Sequence, residues 1–131
     1  MIDALWSRVH RAYAILRQGD IEHARAQFKI CVEGFYNGDS EIGLVYAIEG
    51  LASLNVNQEP PERATRLFAW ADATREKIND FRPPVERASV EGDLEVVHSR
   101  MNDAAFAKAY AEGKIMTVEK SITLALGELD H

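Results

Sequence analysis

The residues best equipped for chemistry are four histidines, one cysteine and a run of alternating carboxylates. The histidines are His10, His23, His98 and His131. A helical zinc site sets two histidines three or four residues apart, so that both imidazoles reach one ion. No two of these have that spacing, and none stands in an HExxH motif. They read as surface or groove histidines, and no metal is expected. Cys31 sits between Ile30 and Val32, an apolar setting that disfavours the thiolate, so it reads as a buried, inert thiol. Being alone, it forms no disulfide within the chain. Glu91, Asp93 and Glu95 offer acid–base groups, but such carboxylates are common on solvated helix faces and nothing around them implies a cleft. The chain lacks a GxxxxGK[ST] phosphate loop. These residues predict no catalytic group, no metal and no cofactor.

The elements that must position these groups are helical. Alternating β-branched runs are absent, and apolar residues recur at steps of three, four or seven. Asp3 is expected to cap a first helix ending near Gln18, with Gly19 just past its end. Asp20 caps a second, to about Tyr36, and residues 37–40 form a turn before a third that reaches about Val56. Pro60 and Pro61 open a fourth, to about Asn79, because proline is tolerated in a first turn. Pro84 begins a fifth reaching about Met101. Asn102 or Asp103 caps a sixth closed by Gly113, and Thr117 caps a seventh running nearly to the end. Apolar stripes support the fourth (Ala64, Leu67, Phe68, Ala71, Ile78), the fifth (Val90, Leu94, Val97, Met101) and the seventh (Val118, Ile122, Leu126, Leu129).

A chain of 131 residues suits one domain with one core. Its net charge of −6 is uneven: residues 1–36 hold five basic against four acidic side chains, and the remainder 10 against 17. An acidic domain repels a phosphate backbone, so direct nucleic-acid binding is not expected. No apolar run approaches the ~18–20 residues of a membrane helix. The opening MIDALWSRVHRAYAIL lacks the basic start and apolar middle of a secretory signal. A cytoplasmic protein is the expectation.

QGDIEHARAQF at 18–28 and QEPPERATRLF at 58–68 share Gln, Glu, Ala and Phe at an offset of 40. At the same offset Trp6 matches Tyr46, Ala12 matches Ala52, Leu16 matches Val56 and Cys31 matches Ala71. Each unit is a helical hairpin. A small residue lets its two backbones approach, and a large one a turn later fills the gap toward the next hairpin. One hairpin cannot bury its apolar face alone, so copies stack.

GDIEHA followed by Phe28 and Cys31 resembles a tetratricopeptide repeat. The second copy departs at Glu59, Pro60 and Pro61, and Arg11 stands where that repeat usually has leucine. From Glu49 onward the chain is similar to the helical C-terminal tail of bacterial LuxR-family and AfsR-like signalling ATPases and transcription regulators. The motifs are Glu49–Ala52, Pro61–Ala64, Phe106–Tyr110–Gly113 and the cap Thr117. The resemblance implies an all-α, short right-handed α-solenoid of about seven helices. Residues 1–38 and 39–80 form two hairpins, and 81–131 are C-terminal helices acting as a cap. It also implies a concave face showing Trp6, Val9, Tyr13, Leu16 and Arg17, then Tyr46, Glu49, Ser53, Val56 and Asn57. Aromatics with a few polar groups there suit a protein or peptide partner. Self-association as a homodimer is a further expectation. The alternatives are a small-molecule-sensing regulatory domain and a structural tail packing on a missing ATPase domain. Trp6 and Tyr13, seven residues apart, also fit a plain core stripe.

Overall fold

The structure, a computed structural model, describes residues 2–127. It holds seven helices and, among the described residues, no strand: α1 (Ile2–Arg17), α2 (Ile21–Asn37), α3 (Glu41–Leu54), α4 (Pro61–Ile78), α5 (Pro84–Ser99), α6 (Asp103–Lys114) and α7 (Val118–Ala125). Local chemistry sets most of the boundaries. The first backbone N–H groups of a helix have no partner within it, and a side-chain acceptor at the N-cap supplies one. Ser40 accepts from Gly43 N (3.3 Å), Asn102 from Ala105 N (2.7 Å) and Thr117 from Lys120 N (3.0 Å). Asp20 accepts weakly from His23 N at 3.4 Å. Pro61 and Pro84 occupy the first helical positions of α4 and α5, where no N–H is needed. Gly19 follows α1 with φ +86°, and Asn79 closes α4 in the left-handed conformation.

Five boundaries differ from expectation. α3 stops at Leu54 instead of about Val56. α1 already includes Asp3, so Asp3 is not its N-cap. α5 stops at Ser99. α7 ends at Ala125, just before Gly127 at φ +79°, while Leu129 and His131 lie outside the described residues. Gly113 does not close α6 but sits buried within it, because a Cβ there would overlap the Arg66 backbone of α4.

Consecutive helices pack from α1 to α4. α4 then makes its most extensive contact with α6, while α5 touches α4 only lightly and α7 returns against α3 and α4. The residues repeated at the offset of 40 share one role: Ala24 and Ala64, Phe28 and Phe68, Cys31 and Ala71 are all fully buried. Glycines bring α2 and α3 close together. A Cβ on Gly43 would overlap the Phe35 ring, and one on Gly50 the Phe28 ring. α5 contrasts with α2, α3 and α4: only Val90 and Val97 are buried along its 16 residues. No described helix is long and apolar enough to cross a membrane.

Candidate functional site

A strip of aromatic and charged side chains crosses α1, α3, α4, the α4–α5 loop and α6. It begins with Trp6, packed edge-on against Tyr46 (5.1 Å between ring centroids) and Phe35 (5.2 Å). Tyr13 packs edge-on against Phe28 at 4.9 Å, and its hydroxyl donates to the Tyr46 carbonyl at 2.6 Å. Trp6, Tyr13 and Tyr46 each remain partly exposed while packed against the core. The Tyr13 hydroxyl is enclosed, and that desolvation, with the nearby Glu49 charge, raises its pKa well above the ordinary tyrosine value.

The Arg75 guanidinium lies 4.7 Å from the Tyr46 ring centre and connects the aromatics to an ionic cluster. Glu49 is 5% exposed, and it is the only charged residue between Ile42 and Gln58. Its carboxylate accepts from Arg75 Nε (3.0 Å) and Nη2 (2.9 Å), a bidentate pair, and from Arg82 Nε at 2.9 Å. Arg75 also pairs with Asp80, and Tyr110 donates to Asp72. An Arg82 nitrogen lies 2.6 Å from Asp72 Oδ1, an ion pair. Burial opposes the Arg75 charge, but the bonds to Glu49 outweigh it and hold its pKa above the usual guanidinium value. Arg82 is held up in the same way by Glu49 and Asp72. Burial and the bond to Asp72 raise the Tyr110 pKa. Three carboxylates thus face two guanidiniums; the Glu49–Arg75 pair is nearly sealed from water, where pairing offsets the cost of removing charges from solvent, while Asp72 and Asp80 stay partly exposed. Above the cluster lies a cleft of about 450 Å³, whose wall includes Phe81, Arg87, Val90 and Leu94.

The structure scatters the expected groove residues across several environments. Trp6, Tyr13 and Tyr46 come together as described. Arg17 and Asn57 are exposed at the helix ends. Ser53 donates to Asp93 of α5 at 2.8 Å, so a neighbouring helix already engages it. Val9 is fully buried and Val56 nearly so; with Glu49 they offer no surface to a partner. Val9 instead fills the core between helices, and Glu49 neutralises two arginines.

Searches of protein-family models, curated proteins and solved structures return no match to this chain. The arrangement itself must carry the functional argument. Among the described residues no group of His, Cys, Asp and Glu side chains is placed to hold a metal ion. His10 is exposed near Trp6, His23 lies 3.6 Å from Asp20, and His98 stacks on Phe106 with Nε2 2.8 Å from Asp103. Cys31 is buried, and desolvation pushes its thiol up to about 11. Glu91 and Glu95 are exposed, while burial raises Asp93 despite the bond from Ser53. Reading the residues alone missed Arg75, Arg82, Asp72 and Tyr110. One signal pointed to them: a lone carboxylate in an apolar helix needs a buried cationic partner.

Proposed function

We propose that the chain is a protein–protein interaction module without catalytic activity, which takes a peptide or helix of a partner on the face shared by α1 and α3. The observation that carries this reading is the fixed aromatic trio. Trp6, Tyr13 and Tyr46 are each partly exposed residues, and edge-on packing and the Tyr13–Tyr46 bond fix their positions. Large aromatics that are already ordered give contact area with little entropy left to lose on binding. The matched burial of the two hairpins supports a tetratricopeptide-like solenoid, with α5 to α7 as its cap. The motifs from Glu49 to Thr117 support placing it with the tails of bacterial signalling ATPases and transcription regulators, in the cytoplasm. The test uses Arg17 and Asn57, exposed residues expected on the same face, where substitution spares the core. An Arg17→Glu, Asn57→Lys variant, with its fold checked by circular dichroism, should lose a protein that the native chain captures from its source lysate, by about tenfold or more. Equal capture by both, or capture of nothing, would refute the groove.

The cleft beside the ionic cluster favours a second reading, a small-molecule-sensing domain. Arg87 and Phe81 stand exposed at a cleft of about 450 Å³, within the usual range for ligand sites. A ligand held there would raise the melting temperature, since binding only the folded state stabilises it. Arg87→Ala would remove that shift and leave the groove intact.

A further inference from the structure

Two surfaces at opposite parts of the chain complement each other. The first is the outer side of α5 and the loop before it. Phe81, in the loop, is 76% exposed and Val85, in the first turn of α5, is 81% exposed, an uncommon setting for large apolar side chains four residues apart. Val96 continues the apolar line at 39% exposed, and a Cβ on the intervening Gly92 would meet open space. Glu86, Glu91 and Glu95 are exposed beside this line, with Asp93 half-buried and Arg87 the one exposed guanidinium on the helix.

The second surface is a notch of about 560 Å³ between α1 and the end of α2. Its apolar lining is Ala4, Leu5, Ile30 and Gly34, and Ile30 is itself exposed. Arg8 lines it, held at 2.6 Å by Gln27, and exposed Arg11 follows one turn along α1. α1 carries one carboxylate, Asp3, against Arg8, Arg11 and Arg17, and exposed Glu33 of α2 and Asp39, next to the lining residue Gly38, are further carboxylates at this end. Helical spacing puts Ala4, Arg8 and Arg11 on the side of α1 away from Trp6 and Tyr13. The notch and the groove are therefore separate surfaces.

We infer that the occupant of the α5 surface is a second copy of this chain: Phe81 and Val85 of one copy seat in the α1–α2 notch of the next, with Glu91 and Glu95 facing Arg8 and Arg11. Charge decides between the two ways copies could meet. Placing α5 against α5 would oppose carboxylates to carboxylates, whereas α5 against α1 pairs opposite signs. The contact joins two different patches, so it is head-to-tail and builds rings or open chains of copies rather than closed symmetric dimers.

Sedimentation of the whole chain across about 1 µM to 1 mM tests this at low salt and again at about 0.5 M salt, where exposed charges are screened. At low salt the mass should rise past that of two chains as concentration increases, and high salt should weaken association by about tenfold or more. Phe81→Ser with Val85→Ser should abolish association without unfolding the chain, since both side chains stand mostly in water. Glu91→Lys with Glu95→Lys, and separately Arg8→Glu with Arg11→Glu, should each be monomeric. Mixing those two charge-reversed proteins should restore assembly, which neither a misfolded variant nor a different contact would do. A native chain that stays monomeric throughout, a mass that stops at two chains, a Phe81/Val85 variant that assembles like the native chain, or a mixture that stays monomeric would overturn the inference. So would saturable binding of a basic, amphipathic peptide of another protein to α5 by a chain that never self-associates.

Discussion

Glu49→Gln tests the physical reading of the ionic cluster most directly. The substitution keeps the side chain's shape and removes its charge. Arg75 Nε and Nη2 and Arg82 Nε would then face an amide in place of a carboxylate. Arg75 would keep Asp80 and Arg82 would keep Asp72, so neither guanidinium is wholly stranded. Both members of the Glu49–Arg75 pair are nearly sealed from water, at 6% and 5% side-chain exposure. Breaking one side of such a pair costs about 3–5 kcal/mol, and the surviving acidic partners put the expectation near the lower end. A small domain has only about 5–15 kcal/mol in total. In urea, with a slope of about 1–3 kcal/mol per molar, the unfolding midpoint should fall by roughly 1–3 M. Glu49→Leu combined with Arg75→Met should cost less than the two single changes added together, by about 1–3 kcal/mol, because the two sites are coupled. A loss under about 1 kcal/mol for Glu49→Gln would match an exposed ion pair and refute the buried cluster. Strict additivity in the double variant would show that Arg75 does not depend on Glu49.

Two further outcomes follow from the packing. Gly50→Ala should destabilise by about 1–3 kcal/mol, the usual cost of overpacking, because its Cβ would meet the ring of fully buried Phe28; thermal unfolding measures it, and an unchanged melting temperature would show that α2 and α3 can separate at no cost. Cys31 should resist alkylation at mildly alkaline pH until denaturant is added. Its folded thiol titrates near 11 instead of the ordinary 9.0, so between those values the unfolded chain loses a proton that the folded chain keeps. Stability should therefore fall with rising pH across that window, and Cys31→Ala should remove the thiol's share of this dependence while the share of Tyr13 and Tyr110, whose pKa values are also raised, remains; rapid labelling of the native protein would contradict the burial.

The sequence by itself determined the helices and the repeated core. Ser40, Asn102 and Thr117 accept from a backbone N–H three residues on, and Pro61 and Pro84 need no partner at all, so these starts depend on a few adjacent residues. Ala24, Phe28 and Cys31 share their burial with Ala64, Phe68 and Ala71 because spacing along a helix fixes which face they occupy. Tertiary structure alone decided which charges meet. Glu49 lies 26 residues from Arg75 and 33 from Arg82, and their convergence depends on how α3, α4 and the α4–α5 loop cross. The same crossing turned Glu49 from a groove residue into a buried anchor and covered Val9, while leaving Trp6, Tyr13 and Tyr46 partly exposed. It also put Gly113 inside α6 against α4, where the glycine serves close approach of two helices instead of ending one. Periodicity specifies the face a side chain takes on its own helix; the partner it finds there depends on crossing geometry, which no local pattern encodes.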